Sequence, residues 1–257
     1  MNFKCPFHND INASLSLKKN IFLCYGCNLK GKLQNVDIKN FNIKNFNFFF
    51  DKNTIFNSKK NLYLKKNFWL NYLYFRKINI SVSMKFSLGM LNFTYNNNKI
   101  LLNRLMFPII NYQNILIGVG LKTNSIKNKY INLFKLNILN EDLFFGINNI
   151  KHYNYIIVVE GYFDALTIYK NSFLNVISNL GCNINYKKIC FLLSKFKKIY
   201  FCFDGDIAGF NSSEKIKIEF NKYYKKRIYI KNMPSNFDPD NFINFFGIKS
   251  FLKYLII

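Results

Sequence analysis

Between Tyr155 and Ile230 the apolar positions gather into short continuous runs, and each run is followed by a stretch with helical spacing. Tyr155–Glu160, Leu174–Ser178, Ile199–Asp204 and Arg227–Ile230 each have the length of one buried strand. Helical patterns fill the intervals at Asp164–Tyr169, Asn185–Ser194 and Ala208–Tyr223. Such alternation predicts an α/β unit over residues 153–257, with a mostly parallel, Rossmann-like sheet covered on both faces. Two of the runs stop abruptly in carboxylate and glycine: Glu160-Gly161-Tyr162-Phe163-Asp164 and Asp204-Gly205-Asp206. Strands of an open α/β sheet deliver whatever stands at their carboxyl ends into the ligand crevice, so the pattern brings Glu160, Asp204 and Asp206 together. Clustered carboxylates repel one another unless a hard cation neutralises them, and Mg²⁺ is the usual one. Taken singly, each motif also reads as a strand-to-helix turn with Asp as N-cap, and two in order favour the metal.

Upstream the pattern is weaker. Asn61–Lys77 has helical spacing, and residues 105–110 and 115–120 read as two strands around a turn at 111–114, giving an α+β segment over residues 61–152. Residues 33–60, rich in Asn, Lys and Phe without a period, read as a linker with one ill-defined helix. The ending Phe242–Ile257 predicts a helix packed on the sheet. At the other end, Ala13–Leu23 alternates as a hairpin would and joins two knuckles, Cys5-Pro6-Phe7-His8 and Cys24-Tyr25-Gly26-Cys27. Three thiolates and one imidazole at these spacings suit a closed, tetrahedral, structural Zn²⁺ site within residues 1–32.

Composition adjusts this picture. With 257 residues, half of them hydrophobic, the chain can bury a real core. A net charge of +24 points toward nucleic acid, but Lys, Asn, Ile, Phe and Tyr are inflated together, as an AT-biased genome would make them. Charge therefore supports a nucleic-acid partner only modestly. No run reads as a signal peptide or a membrane span. The six cysteines do not form a secreted disulfide framework, so a reducing cytosol is expected, in a bacterium with a reduced genome rather than an organelle.

Together these residues resemble a DnaG-type bacterial primase in shortened form. Cys-Pro-Phe-His and Cys-Tyr-Gly-Cys are similar to that family's zinc ribbon, and Glu160–Asp164, Asp204-Gly205-Asp206-x-Ala208-Gly209 and Asp238-Pro239-Asp240 to its TOPRIM motifs. Tyr72-Leu73 through Arg76, Phe86-x-Leu88-Gly89, Arg104-x-Met106-Phe107-Pro108-Ile109 and Gly118-x-Gly120 resemble the start of its RNA polymerase domain and its basic ridge. Lys129-Tyr130-x-Asn132 and Leu143-Phe144-Phe145-Gly146 continue the likeness. The resemblance implies synthesis of RNA primers on single-stranded DNA from ribonucleoside triphosphates, with Zn²⁺ structural and Mg²⁺ or Mn²⁺ catalytic. Glu160, Asp204 and Asp206 would hold the catalytic ions, with Asp238 and Asp240 as second-tier ligands and Asp164 in support. Whether Glu160 also serves as a base is left open. Arg104, Lys122 and Lys129 would grip template or nucleotide phosphates. Drifted surface lysines remain the other reading of Lys122 and Lys129, and a turn before a helix that of Asp238-Pro239-Asp240.

Departures are equally plain. The chain stops soon after the last acidic motif, so the helicase-docking domain is expected to be absent, and any contact with a replicative helicase would be of a non-standard kind. Lys122 stands where the family usually has Arg, which loses a bidentate phosphate fork. The competing reading is a non-catalytic zinc and TOPRIM protein that binds DNA, of the recombination-mediator type.

Overall fold

The structure is a computed structural model and describes residues 2–3, 15–18, 21–25, 30–33, 46–48, 52–64, 67–95, 100–122, 130–135, 143–224 and 226–256. The chain divides into two compact units: residues 1–72, 87–108 and 116–138, and residues 73–86, 109–115 and 139–257.

The first unit opens with β1 (Asn2–Phe3), β2 (Leu15–Lys18), β3 (Ile21–Cys24), β4 (Lys30–Leu33) and β5 (Phe46–Phe48), an antiparallel sheet in sequence order. Leu15 pairs with Cys24 and Lys18 with Ile21, so the expected hairpin is present. Cys5, His8 and Cys27 lie outside the described residues, as does the Cys24 side chain. Helix α1 (Lys52–Tyr63) follows, and α2 (Phe68–Phe75) crosses from the first unit to the second. The stretch 33–60, read as a linker with one ill-defined helix, holds β5 and most of α1, and the one helix expected over 61–77 is two. Little in residues 52–63 is apolar, and the helix is held by what it touches. Leu62 and Ser58 are buried, and Asn61 donates to the Met90 carbonyl at 3.4 Å. That carbonyl belongs to β6 (Gly89–Tyr95), which pairs antiparallel with β7 (Ile100–Ile110); β8 (Leu116–Lys122) and β9 (Tyr130–Phe134) complete a second antiparallel sheet, order β6-β7-β8-β9. A Cβ at Gly89 would sit 2.3 Å from Ser58 Oγ, so only glycine admits α1 so close to the sheet.

The second unit holds the α/β part. It includes α3 (Ile80–Lys85), capped by Asn79, whose side chain accepts from Val82 N at 2.8 Å. The sheet comprises β10 (Tyr155–Val159), β11 (Val176–Ser178), β12 (Lys198–Phe203) and β13 (Ile228–Asn232), all parallel, in the order β11-β10-β12-β13. The helices are α4 (Tyr162–Lys170), α5 (Tyr186–Lys195), α6 (Ile207–Tyr224), α7 (Pro239–Phe246) and α8 (Ile248–Ile256). Ile156, Val158, Ile199 and Phe201 pack with Leu192 and Phe196 around α5 and with Ile216 and Phe220 of α6. Ile157 and Val159, on the opposite face by alternation, are buried as well. That double burial is why the run reads as continuously apolar, and each such side chain contributes about 1.5–3 kcal/mol.

This unit takes in residues 73–86 and 109–115, which sequence grouped with the α+β segment. Ring contacts explain the difference: Phe86 lies 5.1 Å from Phe145 and 4.9 Å from Tyr169, and the Tyr112 and Tyr153 hydroxyls meet at 2.8 Å. At the end of the chain two helices stand where one was expected, divided at Gly247, whose φ of 82° suits glycine.

Candidate active site

Every acidic motif lies in the second unit. Glu160 follows β10 directly and Asp204 follows β12, and the two strands are hydrogen-bonded neighbours with Val159 opposite Cys202. The Asp204 amide donates to Glu160 Oε1 at 3.0 Å, linking the two strand ends. The loop after β11 fixes Glu160 from its other side. Ser178 Oγ and the Gly181 amide both donate to the Glu160 carbonyl, at 2.8 and 3.0 Å. Asp206, exposed, stands immediately before α6 and accepts from the Gly209 amide at 2.8 Å, which is the N-cap role.

Asp164 is buried and works in both directions. One oxygen accepts the Gly161 amide at 3.0 Å, closing the first turn of α4, and the other accepts the Asp240 amide at 3.0 Å. Asp240 is 1 % exposed and committed to its neighbours: its carboxylate pairs with the Arg76 guanidinium and accepts from Thr167 Oγ1 at 2.5 Å and Asn244 Nδ2 at 2.8 Å. Arg76 also lies over the Phe163 ring, 4.4 Å from its centroid. Asp238 is the N-cap of α7, accepting from Asn241 N at 2.6 Å, with Pro239 at the first helical position. Sequence reading gave no role to Arg76, Thr167, Ser178 or Asn244. Arg76 carried one signal: of 37 basic residues only Arg76, Arg104 and Arg227 are arginine, and arginine is the cation suited to a buried carboxylate.

So much negative charge in one place has electrostatic consequences. Burial raises the Glu160 carboxyl to about 7, with Asp206 and Asp164 adding to the rise and the Asp204 amide opposing it. Burial likewise holds Asp164 well above the usual carboxylate range, helped by Asp204 and Asp238. Cys202, fully buried with its Sγ 3.4 Å from Met233 Sδ, is pushed well up by burial and by Asp164, Asp204 and Glu160. It is a protonated core residue and not a ligand.

Among the described residues no three His, Cys, Asp or Glu side chains form a ready metal-ligand set. The donors nevertheless fit a hard divalent cation. They are carboxylate oxygens on neighbouring strand ends, and their mutual repulsion is what a cation relieves. The backbone beside them leaves room: a Cβ on Gly209 would come within 2.4 Å of the Asp204 carbonyl and 3.0 Å of Glu160 Oε1.

These shifts give a first testable result. Because the folded Glu160 pKa lies above its ordinary 4.5, the folded state binds more protons than the unfolded one, and stability falls as pH rises from the lower value through about 7. In chelator, the melting temperature should fall between about pH 5 and about pH 8, and Mg²⁺ should restore more at the higher pH. Glu160→Gln should flatten the slope; an unchanged slope in that variant would reject the assignment.

In the first unit, Arg104 is half-buried on β7 opposite Leu91 of β6. The Lys122 ammonium lies 4.9 Å from the Tyr130 ring centroid and 5.5 Å from that of Tyr72. Lys129 lies outside the described residues.

A Toprim-like family profile matches residues 157–243. The chain is 26% identical to a DNA primase of Rickettsia prowazekii (strain Madrid E) over 98% of this chain and 53% of that protein. To a DNA primase of Aquifex aeolicus (strain VF5) it is 34% identical over 60% of this chain and 32% of that one. The chain thus spans about half the length of the first of these relatives. Among solved structures, a DnaG catalytic core superposes with a TM-score of 0.68 at 18% identity, covering 79% of this chain and 77% of that one. The zinc-binding and RNA polymerase domains of Aquifex aeolicus primase give 0.66 at 22% identity, covering 98% and 77%. The chain is a relative of the DnaG-type primases and has the fold of their catalytic core.

Proposed function

We propose that this relative of the DnaG-type primases is itself a DNA primase: a DNA-directed RNA polymerase that makes short RNA primers on single-stranded DNA during replication. One observation carries the reading. Glu160 and Asp204 stand at the carboxyl ends of adjacent parallel strands, with Asp206 two residues further on, inside a fold shared with primase catalytic cores.

Glu160, Asp204 and Asp206 would hold Mg²⁺ or Mn²⁺, with Asp238 behind them. When bound, the ions supply activation of a primer 3′-hydroxyl and neutralisation of the triphosphate in an in-line displacement. The chain's own residues do the rest. The Asp204 amide orients Glu160, and Ser178 and the Gly181 amide hold its backbone. Asp206 is the exposed member, with one oxygen held by the Gly209 amide as the cap of α6. Asp240 is better read as a positioning residue than as a ligand, since its oxygens already carry Arg76, Thr167 and Asn244. Asp164, held by two amides, ties α4 to the start of α7. Arg104, Lys122 and Lys129 would take template or nucleotide phosphates, fixing position rather than sequence.

The test is synthesis. Purified protein, single-stranded DNA, labelled ribonucleotides and Mg²⁺ or Mn²⁺ should yield short RNA products, and DNA binding without any product would sink the reading. The N-terminal knuckles are read as a structural zinc site held by Cys5, His8, Cys24 and Cys27. About one equivalent of zinc by elemental analysis is expected, lost in Cys24→Ser. A folded N-terminus free of zinc would remove that site.

A further inference from the structure

Beside the carboxylates, on the α6 side, lies a cavity of about 680 Å³ with Asp206 on its rim. Its volume falls within the range of small-molecule sites. The walls are Ile207, Ala208 and Phe210 from the first turn of α6 and Met233 after β13, with Asn232 and Ser235 among the polar edges. Among the described residues no basic side chain lines it.

The wall is preformed. The Gly205 amide donates to the Phe237 carbonyl at 2.8 Å, the Asn236 amide to the Gly205 carbonyl at 3.1 Å, and the Met233 amide to the Phe203 carbonyl at 2.8 Å. A Cβ on Gly205 would lie 2.0 Å from the Pro234 carbonyl, so residues 233–237 press directly on the Asp204-Gly205-Asp206 turn. The cavity therefore keeps a fixed place relative to Asp206.

Its surface chemistry points to a flat, uncharged, partly apolar guest. Ile207 and Phe210 are 80% and 56% exposed, large apolar side chains facing outward beside the cavity. The Asn232 Nδ2 itself is buried without a hydrogen-bond partner among the described residues. With no lysine or arginine among the described lining residues, the lining offers phosphates no cationic partner. A nucleotide whose phosphates are bridged by a cation to Asp206 would set its base against this wall. Aromatic faces hold bases by stacking, and amide or hydroxyl groups address base edges.

We propose that this cavity is the seat of the nucleobase of an incoming ribonucleoside triphosphate, with Phe210 as the stacking face and Ile207 as the adjoining apolar wall. The inference rests on the primase reading and adds to it a base-binding residue outside the acidic motifs.

The experiment is equilibrium binding of ATP and of inorganic tripolyphosphate in Mg²⁺ to the whole chain, wild type beside Phe210→Ala and Phe210→Tyr. Wild type should hold ATP at least about 10-fold more tightly than tripolyphosphate, the effect of one base–aromatic stack. Phe210→Ala should erase that preference with tripolyphosphate binding intact, and Phe210→Tyr should keep it. Should Phe210→Ala fail to fold, Ile207→Ser, at the more exposed position, is expected to narrow the preference instead. Equal wild-type affinity for the two ligands, or a preference that survives both Phe210→Ala and Ile207→Ser, overturns the base seat and leaves the primase reading standing. Binding of neither ligand by wild type overturns both.

Discussion

Replacing Asp204 by Ala is expected to abolish RNA primer synthesis, by at least about a hundredfold, while single-stranded DNA binding changes little. The magnitude follows from what the side chain does. Groups that merely orient a metal ligand cost about 10- to 100-fold when removed, and a ligand costs more. Asp204 sits at the end of β12, its amide fastened to Glu160, so the substitution removes a ligand of the proposed ion site and leaves the strand in place. DNA binding should persist, because phosphate contacts by basic side chains do not use the carboxylates. Synthesis assays and salt-dependent binding on the same preparations separate the two. If binding fell as far as synthesis, catalysis and template grip would not be the separate functions assigned above, and the recombination-mediator reading would regain ground.

The second large effect concerns stability. Arg76→Ala should destabilise the protein by about 3–5 kcal/mol, the cost of stranding a buried charge. The asymmetry of the pair sets the size: the Asp240 side chain is 2% exposed and that of Arg76 is 29% exposed, so removing the cation leaves a carboxylate that water hardly reaches. Thr167 and Asn244 still donate to it, which places the expectation at the lower end. The double variant with Asp240→Asn should recover more than half of the loss, since an amide can stay buried where an unpaired carboxylate cannot. Urea unfolding measures both. A cost under about 1 kcal/mol for Arg76→Ala would mean that the pair behaves as an ordinary surface ion pair. Synthesis should fall as well, because the start of α7 donates to Asp164 through the Asp240 amide.

How far the sequence could be read depended on whether the decisive forces were local. The parallel sheet was legible because Ile156–Val159 and Phe201–Phe203 are buried on both faces, and such burial writes an unbroken apolar run. The acidic motifs were legible because strand ends are where α/β folds put chemistry. Helix α1 was legible only as an ill-defined helix, since its twelve residues are mostly polar and its Ser58 and Asn61 meet Gly89 and the Met90 carbonyl across the fold. The pairing of Asp240 with Arg76 spans 164 positions, and no local pattern announces it. Asp238-Pro239-Asp240 looked like one motif yet divides into an exposed-side helix cap and a buried ion-pair member, a distinction set by helix geometry. The basic positions were the least legible. Lys122 shares its ammonium between two tyrosine rings, which neither charge count nor spacing discloses.

The wiring from Gly161 through Asp164 to the Asp240 amide also has a meaning for the order of synthesis on the ribosome. Glu160 and Asp204 are translated well before Asp240, yet Asp164 receives one of its two amide donors only from the start of α7. Residues 233–237, which press on Gly205, likewise emerge after both carboxylates they support. A growing chain thus carries its acids early and their bracing late. The proposed ion site would therefore reach its finished geometry only once α7 has been made and docked.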